Sequence, residues 1–203
     1  GNELKVVSLD GHRISIRKSE LKESYNNRKV IVPAKALKEI IKILNNETDN
    51  EVLLYFNNNN IVFEFDNNIV ISRLIEGEYF KIDHMLSSNY TIKVNVNKKE
   101  LLDGINRAIP FIHEGEKKPV KFNFENDSLK LSIVSVDGGN NDYINIEKEG
   151  SDVIIGFNPK FIIDALKVID DENISLYMIN SKAPCFIKNE EESYIYLVLP
   201  VNL

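Results

Sequence analysis

The chain repeats itself, and this limits its possible fold more than any other feature. Three stretches recur at an offset of about 125 residues. That is far longer than a solenoid period, so the repeating unit is a whole module. Leu4-Lys5-Val6 with Ser8-Leu9-Asp10-Gly11 matches Leu129-Lys130-Leu131 with Ser135-Val136-Asp137-Gly138. Val30-Ile31-Val32-Pro33-Ala34-Lys35, with an apolar-periodic run to Leu44, matches Ile154-Ile155-Gly156-Phe157-Asn158-Pro159-Lys160 and its continuation to Ile169. Asn68-Ile69-Val70-Ile71-Ser72-Arg73-Leu74 matches Ser193-Tyr194-Ile195-Tyr196-Leu197-Val198-Leu199.

Each copy reads as strand, strand, helix, then three or four strands. Leu37, Ile40, Ile41 and Leu44 fall at i, i+3, i+4, i+7 and predict one apolar helix face, entered at Pro33. Phe161, Ile162, Ala165, Leu166 and Ile169 do the same in the second copy. Period-2 or solid apolar runs predict strands over 52–56, 61–65, 69–74, 174–178 and 194–199. Asn- and Gly-rich turns divide them, including the run 57–60 and the pair Gly138-Gly139, which reads as a strand-connecting loop. Few helices on much antiparallel sheet give an α+β class. Residues 91–125 have no counterpart in the first copy; they predict a strand over 91–96, a helix over 97–109 using Leu101, Leu102, Ile105 and Ala108, and a strand over 120–124. The expected organisation is a first module over 1–88 lacking that opening segment and a complete second module over 89–203. Gly1 without a preceding methionine fits a tag remnant or a cut from a longer chain.

The net charge of −6 argues against a surface basic all over, though not against a basic stripe on one face. The lone Cys185 excludes an intramolecular disulfide. No signal peptide or bilayer-length apolar run is read, so a soluble, cytoplasmic chain is expected. His12, His84 and His113 are scattered, giving no metal-ligand spacing. No nucleophile elbow or phosphate-binding glycine loop occurs, so no enzyme activity and no cofactor are expected. The acidic groups Asp170-Asp171 and Glu190-Glu191-Glu192 read as solvated turns.

Two features stand out. Leu9-Asp10-Gly11-His12-Arg13-Ile14 is either a plain hairpin turn or the polar rim of an apolar groove. The end, from Tyr194 to Leu203, is apolar to the last residue, although chain ends are usually polar and frayed. It is therefore a buried last strand or a tail lining a groove.

These residues resemble a known family. Asp10-Gly11-His12-Arg13 after a strand is similar to a motif of the bacterial DNA polymerase III beta subunit, the sliding clamp. So are Val30-Ile31-Val32-Pro33 entering a helix, Leu74-Ile75-Glu76-Gly77-Glu78-Tyr79, Ile155-Gly156-Phe157-Asn158, and the terminal Tyr196 to Leu203. The matches run in order over essentially the whole chain. The family builds each subunit from three modules, and two subunits close a ring around duplex DNA. The resemblance implies the DNA-clamp processivity fold, with part of the middle module and the complete last one.

The resemblance implies a tether without catalysis, whose partners are encircled duplex DNA, polymerase III subunits, a clamp loader and a second subunit head to tail. Lys35 would face the DNA, with Lys38, Lys42, Lys99, Arg107, Lys160 and Lys167 as weaker candidates for salt-sensitive phosphate contacts. Phe111 and Ile112 match the ring interface. Client peptides would dock in a groove lined by Leu9, Gly11, His12, Arg13 and Ile14, by Phe80, His84 and Met85, by Asn158, Phe161, Lys182 and Pro184, and by Leu197, Val198, Leu199, Pro200, Val201, Asn202 and Leu203. The family often has proline at Phe80, arginine at His84 and Asn202, and a small polar residue at Pro184, so this groove should differ in shape and charge. The competing reading is a peptide-binding scaffold on the same fold that does not encircle DNA.

Overall fold

The computed structural model describes residues 1–44, 51–86, 89–113, 118–136 and 138–203. The chain forms two compact units, one of residues 25–86 with Gly1, the other of residues 2–24 and 87–203.

In the smaller unit, α1 (Ala34–Ile43) is followed by β3 (Leu53–Phe56), β4 (Asn60–Phe65) and β5 (Asn68–Arg73), paired antiparallel in that order. Three of the four residues predicted for the apolar helix face lie there. Ile40 is buried and Leu37 and Leu44 pack beside it, but Ile41 is exposed. The helix lies on Ile61, Phe63 and Phe65, the buried alternates of β4. Lys35, Lys38 and Lys42 are exposed on α1, and Lys42 pairs with Glu39 at 2.9 Å.

The larger unit holds β1 (Glu3–Leu9), β2 (Arg13–Glu20), β6 (Ile92–Asn97), α2 (Lys98–Ala108), β7 (Val120–Glu125), β8 (Ser128–Ser135), β9 (Gly138–Glu149), β10 (Val153–Phe157), α3 (Pro159–Leu166), β11 (Asn173–Met178), β12 (Cys185–Lys188) and β13 (Tyr194–Val198). They make one ten-stranded sheet in the order β1-β2-β13-β12-β11-β6-β9-β8-β7-β10. The opening hairpin, first-copy by sequence, therefore extends the sheet of the second copy. The core lies under α2 and α3: Leu101, Ile105 and Ala108, with Ile162 and Leu166, pack on Phe122, Phe124, Phe157 and their neighbours. The unpaired opening segment is present as β6, α2 and β7.

Three expectations change. Gly138-Gly139 is not a loop; it opens β9, Gly138 opposite Ser135 and Gly139 opposite Val134. The match of Val30-Ile31-Val32 to β10 is not structural, because residues 30–32 form no strand. β10 is held by β7, whereas among the described residues no strand pairs with residues 30–32. Finally, the pairing of residues 68–74 with 193–199 slips by one. Val70 packs with the helix-side core of its unit, whereas Tyr194, Tyr196 and Val198, not Ile195, do so in theirs. A slip of one residue exchanges the two faces of a strand, so Val70 shares the face of Tyr194 and Tyr196 and not that of Ile195. Among the described residues no helix is long and apolar enough to cross a membrane.

Candidate functional site

The hairpin turn between β1 and β2 is built around Asp10. Its Oδ1 accepts the amide N–H groups of His12 (2.9 Å) and Arg13 (3.1 Å), so the side chain fixes the turn. Its Oδ2 accepts from Arg13 Nε at 2.9 Å. Arg13 then reaches out of the turn. Its Nη1 donates to Asp164 Oδ2 on α3 at 2.7 Å, and the guanidinium lies 4.5 Å from the centroid of the Phe161 ring. The His12 ring packs on the same phenyl ring, with centroids 5.7 Å apart. Two carboxylates and an aromatic face thus hold one planar cation, an arrangement lysine could not satisfy.

The charges follow from this packing. Partial burial disfavours ionised Asp10, but the hydrogen bonds from His12 and Arg13 outweigh it and hold the carboxyl below its ordinary value. Partial burial also works against the Arg13 cation, yet Asp164 and Asp10 bind its proton more firmly than usual.

Register brings the tail to the same place. β13 pairs with β2, Leu197 opposite Ile14 and Val198 opposite Arg13, and the Leu199 N–H donates to His12 O at 2.9 Å. Beyond Pro200, the Val201 N–H donates to Gly156 O at 2.8 Å, stitching the tail to β10. A Cβ at Gly156 would stand 2.7 Å from Val201 O and 2.8 Å from Leu203 Cδ2, so only glycine admits this approach. Asn158 caps α3 by accepting the Lys160 N–H at 3.0 Å. Cys185 pairs with Val198, so Pro184 sits where Leu199 leaves the sheet; Lys182 lies in the preceding turn, held by Asn180 Oδ1 at 2.8 Å.

The larger unit therefore brings together Leu9, Gly11, His12, Arg13, Ile14, Asn158, Phe161 and the tail from Leu197 to Leu203. Leu197 and Val198 are buried strand residues, Leu199, Pro200 and Val201 are half-buried, and Asn202 and Leu203 are exposed. The tail is thus a buried last strand that ends in a half-buried and then an exposed stretch. Phe80, His84 and Met85 belong to the smaller unit, where Phe80 is 62% exposed and the other two lie in a short 3-10 turn, Asp83–Met85.

Lys99, Arg107, Lys160 and Lys167 are exposed on or just after α2 and α3. Lys99 pairs with Asp103 at 3.1 Å and Arg107 pairs with Asp142. Phe111 and Ile112 are half-buried against the core after α2. Sequence reading missed Asp164 and Gly156. Asp164 carried a signal in hindsight, an acidic residue one turn after Phe161 on a helix with no other acid. The Cys185 thiol is wholly buried and pushed up to about 12, too weak an acid to serve as a nucleophile at neutral pH. Among the described residues no group of three or more His, Cys, Asp and Glu could hold a metal ion.

The family model of the DNA polymerase III beta subunit central domain matches residues 1–81, and that of its C-terminal domain matches residues 83–202. The beta sliding clamp of Staphylococcus epidermidis is 32% identical over 204 aligned residues, covering 99% of this chain and 54% of that protein. The clamp of Staphylococcus aureus gives the same identity and coverage. A structure described as a DNA polymerase III beta subunit from Eubacterium rectale is 58% identical with a TM-score of 0.96, covering 100% of this chain and 55% of that one. The DNA polymerase sliding clamp of Bacillus subtilis is 29% identical with a TM-score of 0.93, again covering 100% of this chain and 54% of its own. The chain spans about half the length of the curated relatives it matches. It belongs to the DNA polymerase III beta subunit family, the sliding clamps.

Proposed function

We propose that this chain serves as part of a non-catalytic cytoplasmic tether, a clamp that encircles duplex DNA and docks the peptides of polymerase III subunits and other clients. Its modules would be residues 1–88 and 89–203, the hairpin of the first completing the sheet of the second. The observation that supports client docking most directly is the convergence of the Asp10–Arg13 turn, Phe161 and the apolar tail on one edge. Apolar side chains there can bury a client's side chains, while Arg13, His12 and Asn158 offer polar groups to its backbone. Lys35, Lys38, Lys160 and Lys167 make no salt bridge among the described residues, which suits cations that meet phosphates without reading sequence.

The test is deletion of Pro200 to Leu203. A fluorescent peptide from a polymerase III subunit should bind the shortened chain more than tenfold more weakly, about 1.4 kcal/mol. Equal affinity of the two chains would remove the tail from the groove. A full-length parent that binds the peptide but is never retained on circular DNA would favour the scaffold reading.

A further inference from the structure

Two arginines of β2 reach α3. Arg13 and Arg17 are four residues apart on one strand, so they share a side of the sheet. Phe161, Asp164 and Val168 fall at i, i+3, i+7 along α3 and just past its end. Arg13 meets Phe161 and Asp164, and Arg17 meets Val168, whose carbonyl accepts from Arg17 Nη2. Arg17 also donates from Nε to Tyr196 Oη at 3.1 Å and lies 5.2 Å from the centroid of the Tyr194 ring.

The two arginines have different work to do. Arg17 stands opposite Tyr194, away from the tail, whereas Arg13 stands opposite Val198, where the tail leaves the sheet. Arg17 already ties β2 to the end of α3, and the register from Tyr194 to Val198 holds the strand along its length. A second staple adds little to that. An ion pair this open also contributes little stability, since the Arg13 and Asp164 side chains are 32% and 43% exposed. The Asp164 bond instead immobilises. Arginine has many rotamers, and a donor ordered before its partner arrives avoids that entropic loss at binding. Asp10 takes Nε and Asp164 takes Nη1, while Nη2 donates to nothing among the described residues. The guanidinium is left with one open end, against Phe161 and beside the tail.

We propose that Asp164 is a positioning residue for client docking, which fixes the Arg13 guanidinium against Phe161 so that Nη2 meets a main-chain carbonyl of the client. A neutral oxygen is the acceptor that suits this place. Asp10 and Asp164 already set two negative charges on one cation, and a client carboxylate would add a third. The inference rests on the docking reading above and adds to it a residue and the group that it serves.

The test compares Asp164→Asn, Arg13→Ala, the double variant and Arg17→Ala in the 203-residue chain. Binding of a fluorescent peptide from a polymerase III subunit and the melting temperature are measured for each. Asp164→Asn should bind about tenfold more weakly, the scale of one charge-assisted hydrogen bond, with its melting temperature almost unchanged. Added to Arg13→Ala, it should weaken binding no further, because Asp164 acts through Arg13. Arg17→Ala should melt lower yet bind as the parent does. Without peptide, the Arg13 Nε–H proton resonance, shifted by the Phe161 ring, should move towards its free-arginine position in Asp164→Asn. Arg13→Ala should lose as much affinity for the same peptide with its Asp and Glu residues changed to Asn and Gln. A smaller loss with that peptide would overturn the carbonyl assignment. Equal binding by the parent and Asp164→Asn, additive losses in the double variant, or an unmoved Arg13 resonance would overturn the positioning role and leave docking intact. A parent chain that binds no peptide would overturn both.

Discussion

Asp10 shows how much one side chain can decide. It closes the turn through two amides and aims Arg13 at α3 through a third bond. Its carboxyl is held below the ordinary value in the folded chain. A group whose folded pKa is depressed contributes its stability above its unfolded value and loses it as pH falls through the folded one. The hairpin contribution should therefore be complete at neutral pH and fade below about pH 4. In Asp10→Asn that acid-dependent part should be missing, with lower stability at pH 7 and a flatter stability curve between pH 5 and 2; urea titrations of both chains over that range measure it. The turn residues were legible from Asp-Gly alone. The second carboxylate, Asp164, was not, because it comes from 151 residues away and only folding brings it to Arg13.

At the scale of elements, the two helix starts offer a comparison. Asn97 caps α2, accepting the Glu100 N–H at 3.1 Å, and Asn158 caps α3 in the same manner. Replacing either by alanine should cost about 1 kcal/mol of stability. Only Asn158→Ala should also weaken a bound client peptide, since Asn97 lies outside the converging group; equal loss in both would show that the effect is merely one of stability. Elements with strong local periodicity were readable from sequence: α2 and α3, and β4 with its buried Ile61, Phe63 and Phe65. What could not be read depends on distant partners. Residues 30–32 look as strand-like as β10, but among the described residues no strand lies beside them. The one-residue slip between β5 and β13 was equally hidden, since runs of isoleucine and tyrosine match in either register, and only burial distinguishes their faces. The pairing of β2 with β13, which makes the candidate site, left no trace in local sequence at all.

For the whole molecule, the tether reading separates holding DNA from gripping it. A closed ring stays on circular DNA at salt concentrations that abolish phosphate contacts, whereas binding through lysines alone falls steeply with salt, by a log–log slope of about 0.9 for each phosphate contact. The 203-residue chain should wash off circular DNA in high salt, and the full-length parent should stay until the DNA is cut. Gel filtration of loaded plasmid before and after linearisation distinguishes them, and retention of the short chain on circular DNA would contradict the reading. The glycine that seats the tail has a practical consequence on this scale. Val201 and Leu203 lie so close to Gly156 that anything joined after Leu203 begins against β10, beside the turn that carries Arg13. Affinity handles and fluorophores belong at the other end of the chain; placed after Leu203, they would compete for the surface they are meant to report on.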